Sequence, residues 1–132
     1  MAHQVKDVNV KATGALPAGA LTSYSTGIDL GLGDVLADFE VKITAPALTT
    51  GQLADASTVK YSLEMDDNAA FASPTTLYGD LITQTGAGGA GATTATATVR
   101  VPVDVEPYIR LKMVKTGAAD ASAASGTLEL LF

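Results

Sequence analysis

Five stretches of the chain alternate apolar and polar residues with period two: Phe39-Glu40-Val41-Lys42-Ile43, Val59 to Met65, Val99 to Val103, Ile109 to Met113, and Leu128 to Phe132. Successive side chains on a β-strand point to opposite faces, so this pattern specifies sheets with one dry face and one wet face. A helical period is not sustained anywhere, and without crossover helices a doubly wound α/β fold is excluded. The expected architecture is therefore all-β, an antiparallel β-sandwich or jelly roll, which the pattern alone does not separate, preceded by an extended N-terminal arm.

The arm is read over residues 1–22 and the sandwich over 23–132, a single domain. Val8-Asn9-Val10 and the turn-rich Gly14 to Gly19 give the arm an extended, strand-like character, suited to lying on another chain. Ser23 to Leu30 reads as a strand interrupted at Gly27. Ala37 to Thr44 reads as a strand stopped by Pro46, which cannot donate to a ladder. Strands are also expected at Thr58 to Met65, Thr75 to Thr83, Thr93 to Val103 with Pro102 at an edge or bulge, Tyr108 to Lys115, and the C-terminal residues. Asp66-Asp67-Asn68 should close a turn with their own side chains, and Phe71 should anchor the loop that follows. Gly86 to Ala92 reads as a flexible, low-complexity loop.

Composition narrows the chemistry. Fourteen acidic residues against eight basic ones give a net charge of −6, with Arg100 and Arg110 the only arginines, which argues against a direct nucleic-acid partner. With no cysteine, thiolate metal sites, thiol nucleophiles and disulfides are excluded. Met1 to Asp7 lack the basic start and apolar run of a signal peptide, and no segment reaches the roughly 18 to 20 apolar residues of a membrane helix. The chain is thus expected to be made in the cytoplasm, with no membrane partner.

Individual motifs do not assemble into a reactive site. Gly86-Ala87-Gly88-Gly89-Ala90-Gly91 satisfies G-x-G-x-x-G, and Glu106 lies twenty residues beyond its first glycine. Phosphate binding by that motif needs a helix to open at the glycines, and here the β-prone Thr93 to Val99 follows instead. Asp66-Asp67-Asn68 offers hard oxygen ligands without the spacing of a calcium loop, although Asp29, Asp34, Asp38 and Asp80 are free to join them in space. No pair of acids stands out for glycoside cleavage. His3, the only histidine, lies in the arm, away from any triad or metal cluster. Arg100 and Arg110 are read as wet-face charges in surface pairs with carboxylates, worth about 0 to 1 kcal/mol each. No catalytic, cofactor or metal site is expected.

The order of these pieces carries a resemblance. An alternating strand ending in Asp-Asp-Asn with Phe71 close behind, a Gly/Ala/Thr-rich middle, Glu106-Pro107-Tyr108-Ile109-Arg110-Leu111-Lys112, a small-residue loop and the terminal Gly126 to Phe132 are together similar to small structural proteins of tailed bacteriophages. Over residues 20 to 132 the chain resembles the Bbp16-like capsid cement, or decoration, family. That resemblance implies a non-enzymatic jelly-roll domain that binds the outside of the head as a homotrimer. It would sit over junctions between major capsid proteins and be located on the virion. Residues 1–22 and the 117–126 loop are the expected intersubunit contacts, with Leu130-Leu131-Phe132 buried in the core or against a neighbour. The alternatives are another phage head or tail structural protein, and a carbohydrate- or host-surface-binding sandwich, which would need its tyrosines, Tyr24, Tyr61, Tyr78 and Tyr108, to converge.

Overall fold

The computed structural model describes residues 10–31, 39–102 and 104–131. Nine strands are found among them: β1 (Lys11–Ala15), β2 (Thr22–Tyr24), β3 (Ile28–Asp29), β4 (Glu40–Ala45), β5 (Thr58–Asp66), β6 (Thr75–Thr85), β7 (Ala95–Arg100), β8 (Tyr108–Lys115) and β9 (Ser125–Leu131). They form two antiparallel sheets, one ordered β1-β9-β4-β7 and the other β2-β8-β5-β6 with β3 also on β8. Every connection except β2–β3 and the β5–β6 hairpin passes from one sheet to the other, so the chain is the expected jelly-roll-like sandwich.

The alternating stretches behave as their period requires. Val41 and Ile43 from β4, Leu128 and Leu130 from β9, Val59, Tyr61 and Leu63 from β5, and Ile109, Leu111 and Met113 from β8 are all buried between the sheets. Each such side chain stabilises the fold by roughly 1.5 to 3 kcal/mol through the water it no longer orders. The opposite phase of β4 and β9 forms the outer face of the first sheet. There Thr13, Thr127, Thr44 and Thr96 make one row across all four strands, next to a row of Lys11, Glu129 and Lys42. Opposite charges directly across an antiparallel pair add a few tenths of a kcal/mol and help to fix register.

The segment read as an arm divides in two. Residues 1–9, and His3 with them, lie outside the described residues, whereas Lys11–Ala15 pairs with β9 of its own chain and Leu16 enters the core. Large apolar alternation is missing from Lys11-Ala12-Thr13-Gly14-Ala15 because β1 passes too close to β2 to carry it. A Cβ on Gly14 would lie 2.6 Å from the Ser25 Cα and collide with the Tyr24 carbonyl.

At the far end Leu130 is buried and Leu131 sits half-buried on the outer face opposite Glu40, while Phe132 lies outside the described residues. The glycine-rich loop is tied down at several points. Leu48 and Ala92 exchange backbone hydrogen bonds at 2.8 and 2.9 Å, and the Gly89 N–H donates to the Asp55 carboxylate at 2.9 Å. A strand, not a helix, follows it, which removes the dinucleotide geometry.

One polar device links the two sheets inside the core. The Tyr61 hydroxyl donates to the Gln84 side-chain oxygen at 2.7 Å, and the Gln84 amide donates to the Pro46 and Thr93 carbonyls at 2.8 and 2.9 Å. Pro46 ends β4 and Thr93 precedes β7, so one amide from the second sheet fastens both strands of the first. Burial pushes the Tyr61 hydroxyl far above its ordinary pKa, keeping it a donor throughout the physiological range.

Candidate functional site

The turn after β5 builds the site. The Asp66 carboxylate accepts the Asn68 N–H at 3.0 Å and the Ser73 N–H at 2.9 Å, while the Asn68 side chain accepts the Ala70 N–H at 2.8 Å. Asp66 and Asn68 thus fold back on their own backbone, as that sequence predicts. The wrapped loop places Phe71 at φ +53°, in the left-handed region, with its ring over Gly27, where a Cβ would come within 2.8 Å of it. Gly27 interrupts the β2–β3 strand and leaves the ring its space.

Phe71 reaches Arg110 on β8. The guanidinium carbon lies 4.3 Å from the Phe71 ring centroid and 3.7 Å from that of Tyr24 on β2, so the guanidinium packs against both rings. Register fixes the rest: Glu64 on β5 lies directly opposite Arg110, and Lys112 lies between Ser62 and Tyr24. The Arg110 Nε donates to Glu64 Oε1 at 3.0 Å and Lys112 Nζ is 3.6 Å from Oε2, with the Glu64 side chain only 6% exposed. Reading Arg110 as an ordinary surface charge is therefore corrected, because its acid partner is buried and its own position is set by two rings. Arg100, at the end of β7, differs: its carbonyl accepts the Tyr78 hydroxyl at 2.8 Å, joining the edges of the two sheets.

The other residues singled out by sequence are placed as follows. Asp80, at φ +47° in the β6 bulge, gives its N–H to the Ser62 hydroxyl and lies 3.7 Å from Lys60 in an exposed ion pair. Asp34 and Asp38 lie outside the described residues. Asp66, Asp67 and Glu106 bring carboxylate oxygens within 4.8 Å of one another. Both Asp66 oxygens are already committed to backbone N–H groups, so the trio is accounted for as loop architecture. The tyrosines do not converge: Tyr61 is in the core, Tyr78 ties the sheet edges, Tyr108 lies opposite Asp66, and Tyr24 alone is strongly exposed. An open groove of about 410 Å³ beside β6 and β7 is lined by threonine, alanine, glycine and Gln84, with no ionisable or aromatic side chain.

The two segments expected to make intersubunit contacts meet at one end of the sandwich. Leu16 donates to the Ala124 carbonyl at 2.9 Å, Ala121 to Pro17 at 3.1 Å, and Lys115 to Leu21 at 3.0 Å. The Lys115 ammonium is buried and bonds the Thr116 and Gly117 carbonyls; burial lowers its pKa, with Asp120 acting in the opposite sense. Among the described residues, Leu21 and Tyr24, at either end of β2, are the exposed large hydrophobics, at 61% and 41%.

Acid should loosen both ends of the sandwich. Burial works against ionisation of Asp66, but N–H donation from Ser73, Asn68 and Asp67 outweighs it and holds the carboxyl below the usual range. Bonds from the Ser122 hydroxyl and amide do the same for Asp120. A carboxyl whose folded value lies below its unfolded value, about 4, contributes stability above that pH and loses it as pH falls through the folded value. The melting temperature is expected to change little down to about pH 5 and to fall below about pH 4. Thermal scans of Asp66→Asn should show a shallower acid limb.

No family model and no curated protein matches the chain. Among the described residues, no helix is long and apolar enough to cross a membrane. Solved structures similar to it include a CBM4 structure, at 17% identity and TM-score 0.42 over 95% of this chain and 69% of that one. The Caldicellulosiruptor saccharolyticus CBM27-1 in complex with mannohexaose is similar at 12% identity and TM-score 0.44, over 92% and 71%. The xylan-binding module CBM15 is similar at 11% identity and TM-score 0.40, over 96% and 94%. At these values the likeness is one of two-sheet architecture.

Proposed function

We propose that this chain is a non-enzymatic structural protein of a bacteriophage particle, a capsid cement that acts as a homotrimer on the major capsid protein at the outside of the head. The observation that carries the reading is the composition of the β2 edge, where the exposed Tyr24 stacks with an arginine and the exposed Leu21 precedes the strand. Tyrosine and arginine are enriched among side chains that dominate protein–protein binding energy. A protein that binds only the expanded shell stabilises that state by linkage, multiplied over many sites per particle. Purified protein should scatter light as a trimer, co-sediment saturably with expanded heads of the phage that encodes it, and raise their melting temperature. A monomer that stays in the supernatant would overturn the reading.

The second reading, a carbohydrate-binding sandwich, is favoured by the exposed Tyr24 ring beside Lys112 and Glu64, since sugars stack on an aromatic ring flanked by hydrogen-bonding groups. Glycan-array binding abolished by Tyr24→Ala would establish it in place of the first.

A further inference from the structure

We propose that the outer edge of the Arg110 guanidinium, with Lys112 and the exposed ring of Tyr24, seats a carboxylate from an acidic segment of a partner protein. The proposal rests on the protein-docking reading above and names the chemistry of that contact.

Arg110 is spent on three sides. Its guanidinium carbon packs against the Tyr24 and Phe71 rings, and its Nε is bonded to Glu64. No acceptor among the described residues takes the N–H groups of its two terminal nitrogens. Those donors lie in one plane and match the two oxygens of a carboxylate, the geometry that makes arginine–carboxylate pairs bidentate. Because Glu64 and the rings already hold the side chain, little rotamer freedom remains to be lost on binding.

Charge selects the ligand. Arg110 and Lys112 against Glu64 leave one positive charge in the cluster, on a chain whose net charge is −6. A polyanion such as nucleic acid would be repelled by the chain as a whole, whereas a single carboxylate meets only the local excess. Asp66, Tyr108 and Asp29 form the neighbouring row of the same face, so the acid must approach from the Lys112 and Tyr24 side.

The test is an NMR titration of the full chain with an acetylated, amidated hexapeptide of leucine and serine carrying one glutamate, following the arginine Nε–H resonances. A peptide with glutamine in place of glutamate is the control, and oligogalacturonate a second probe. The acidic peptide should shift the Arg110 signal and the glutamine peptide should not. Arg110→Lys keeps the charge beside Glu64 but lacks the fork, and should bind at least about tenfold more weakly. Tyr24→Ser, at an exposed site that spares folding, should weaken binding about threefold or more. Equal binding of both peptides, or an unchanged affinity in Arg110→Lys, overturns the proposal, as does binding of oligogalacturonate with no binding of peptide. Co-sedimentation with heads that survives Arg110→Lys refutes this contact while leaving the cement reading intact; its absence in the wild type refutes the cement reading itself.

Discussion

Gln84→Leu is expected to lower the melting temperature by on the order of 10 °C, corresponding to about 3 kcal/mol for a domain of this size. The substitution preserves volume and leaves three polar groups without their partner: the Tyr61 hydroxyl and the carbonyls of Pro46 and Thr93. A buried group stripped of its hydrogen bond costs roughly 1 to 3 kcal/mol, and the Tyr61 hydroxyl, deepest of the three, has no route to solvent without moving the core. Thr93 lines the open groove beside β6 and β7, where water can partly replace the amide at its carbonyl, which keeps the total below the sum. Tyr61→Phe removes only one bond and should cost about 1 kcal/mol. In the double variant the two effects should be less than additive, because the hydroxyl orphaned by leucine is no longer present. Urea titrations of the four proteins measure this coupling directly, and strict additivity would show that the two side chains do not share a network.

Gly14→Ala is expected to cost about 3 kcal/mol or more, far above the few tenths normally associated with one methyl group on an edge strand. The added carbon would meet backbone atoms of Tyr24 and Ser25, and backbone cannot rotate aside as a side chain can. Gly14 faces Gly126 across β1 and β9, so the same small pair also sets how near the first sheet comes to the second at this corner. Relieving the clash means displacing β1, and with it the bond from Thr26 to the Thr13 carbonyl. Hydrogen exchange at Thr26 should therefore accelerate together with the fall in melting temperature. A variant that melts like wild type would show that β1 lies on β2 less closely than this.

The strands visible in the sequence are those whose core phase carries large side chains. β4, β5, β8 and β9 alternate Val, Ile, Leu or Met with polar residues; β5, β8 and β9 match their expected spans or run a little longer, and β4 begins at Glu40, with residues 37 and 38 of its expected start outside the described residues. β1 left no such trace, since the close approach that makes it a strand of this fold also forbids large residues on its inner side. Gln84 occupies the same inward phase as Ile82, and a polar residue in an apolar phase was the available signal for the cross-sheet bond.

The Arg110 site was half legible. Alternation puts Glu64 and Arg110 on wet faces, but only register makes them neighbours, and register depends on pairing between strands 46 residues apart. Phe71 was expected to anchor its loop; that it anchors the loop against an arginine follows from Gly27, whose missing side chain had been read merely as an interruption.

The order of strands has a consequence for how the protein is made. In the first sheet the central positions belong to β4 and β9, and among the described residues β1 pairs with β9 alone in that sheet. During synthesis the second sheet can join β2, β3, β5, β6 and β8 as soon as β8 emerges, while β1 waits unpaired and β4 has a neighbour on one side alone. β9, ninth in chain order, is thus the strand that completes the sandwich. A ribosome stalled before Ser125 would hold a chain with bare β1 and β4 edges, open to pairing with other nascent chains.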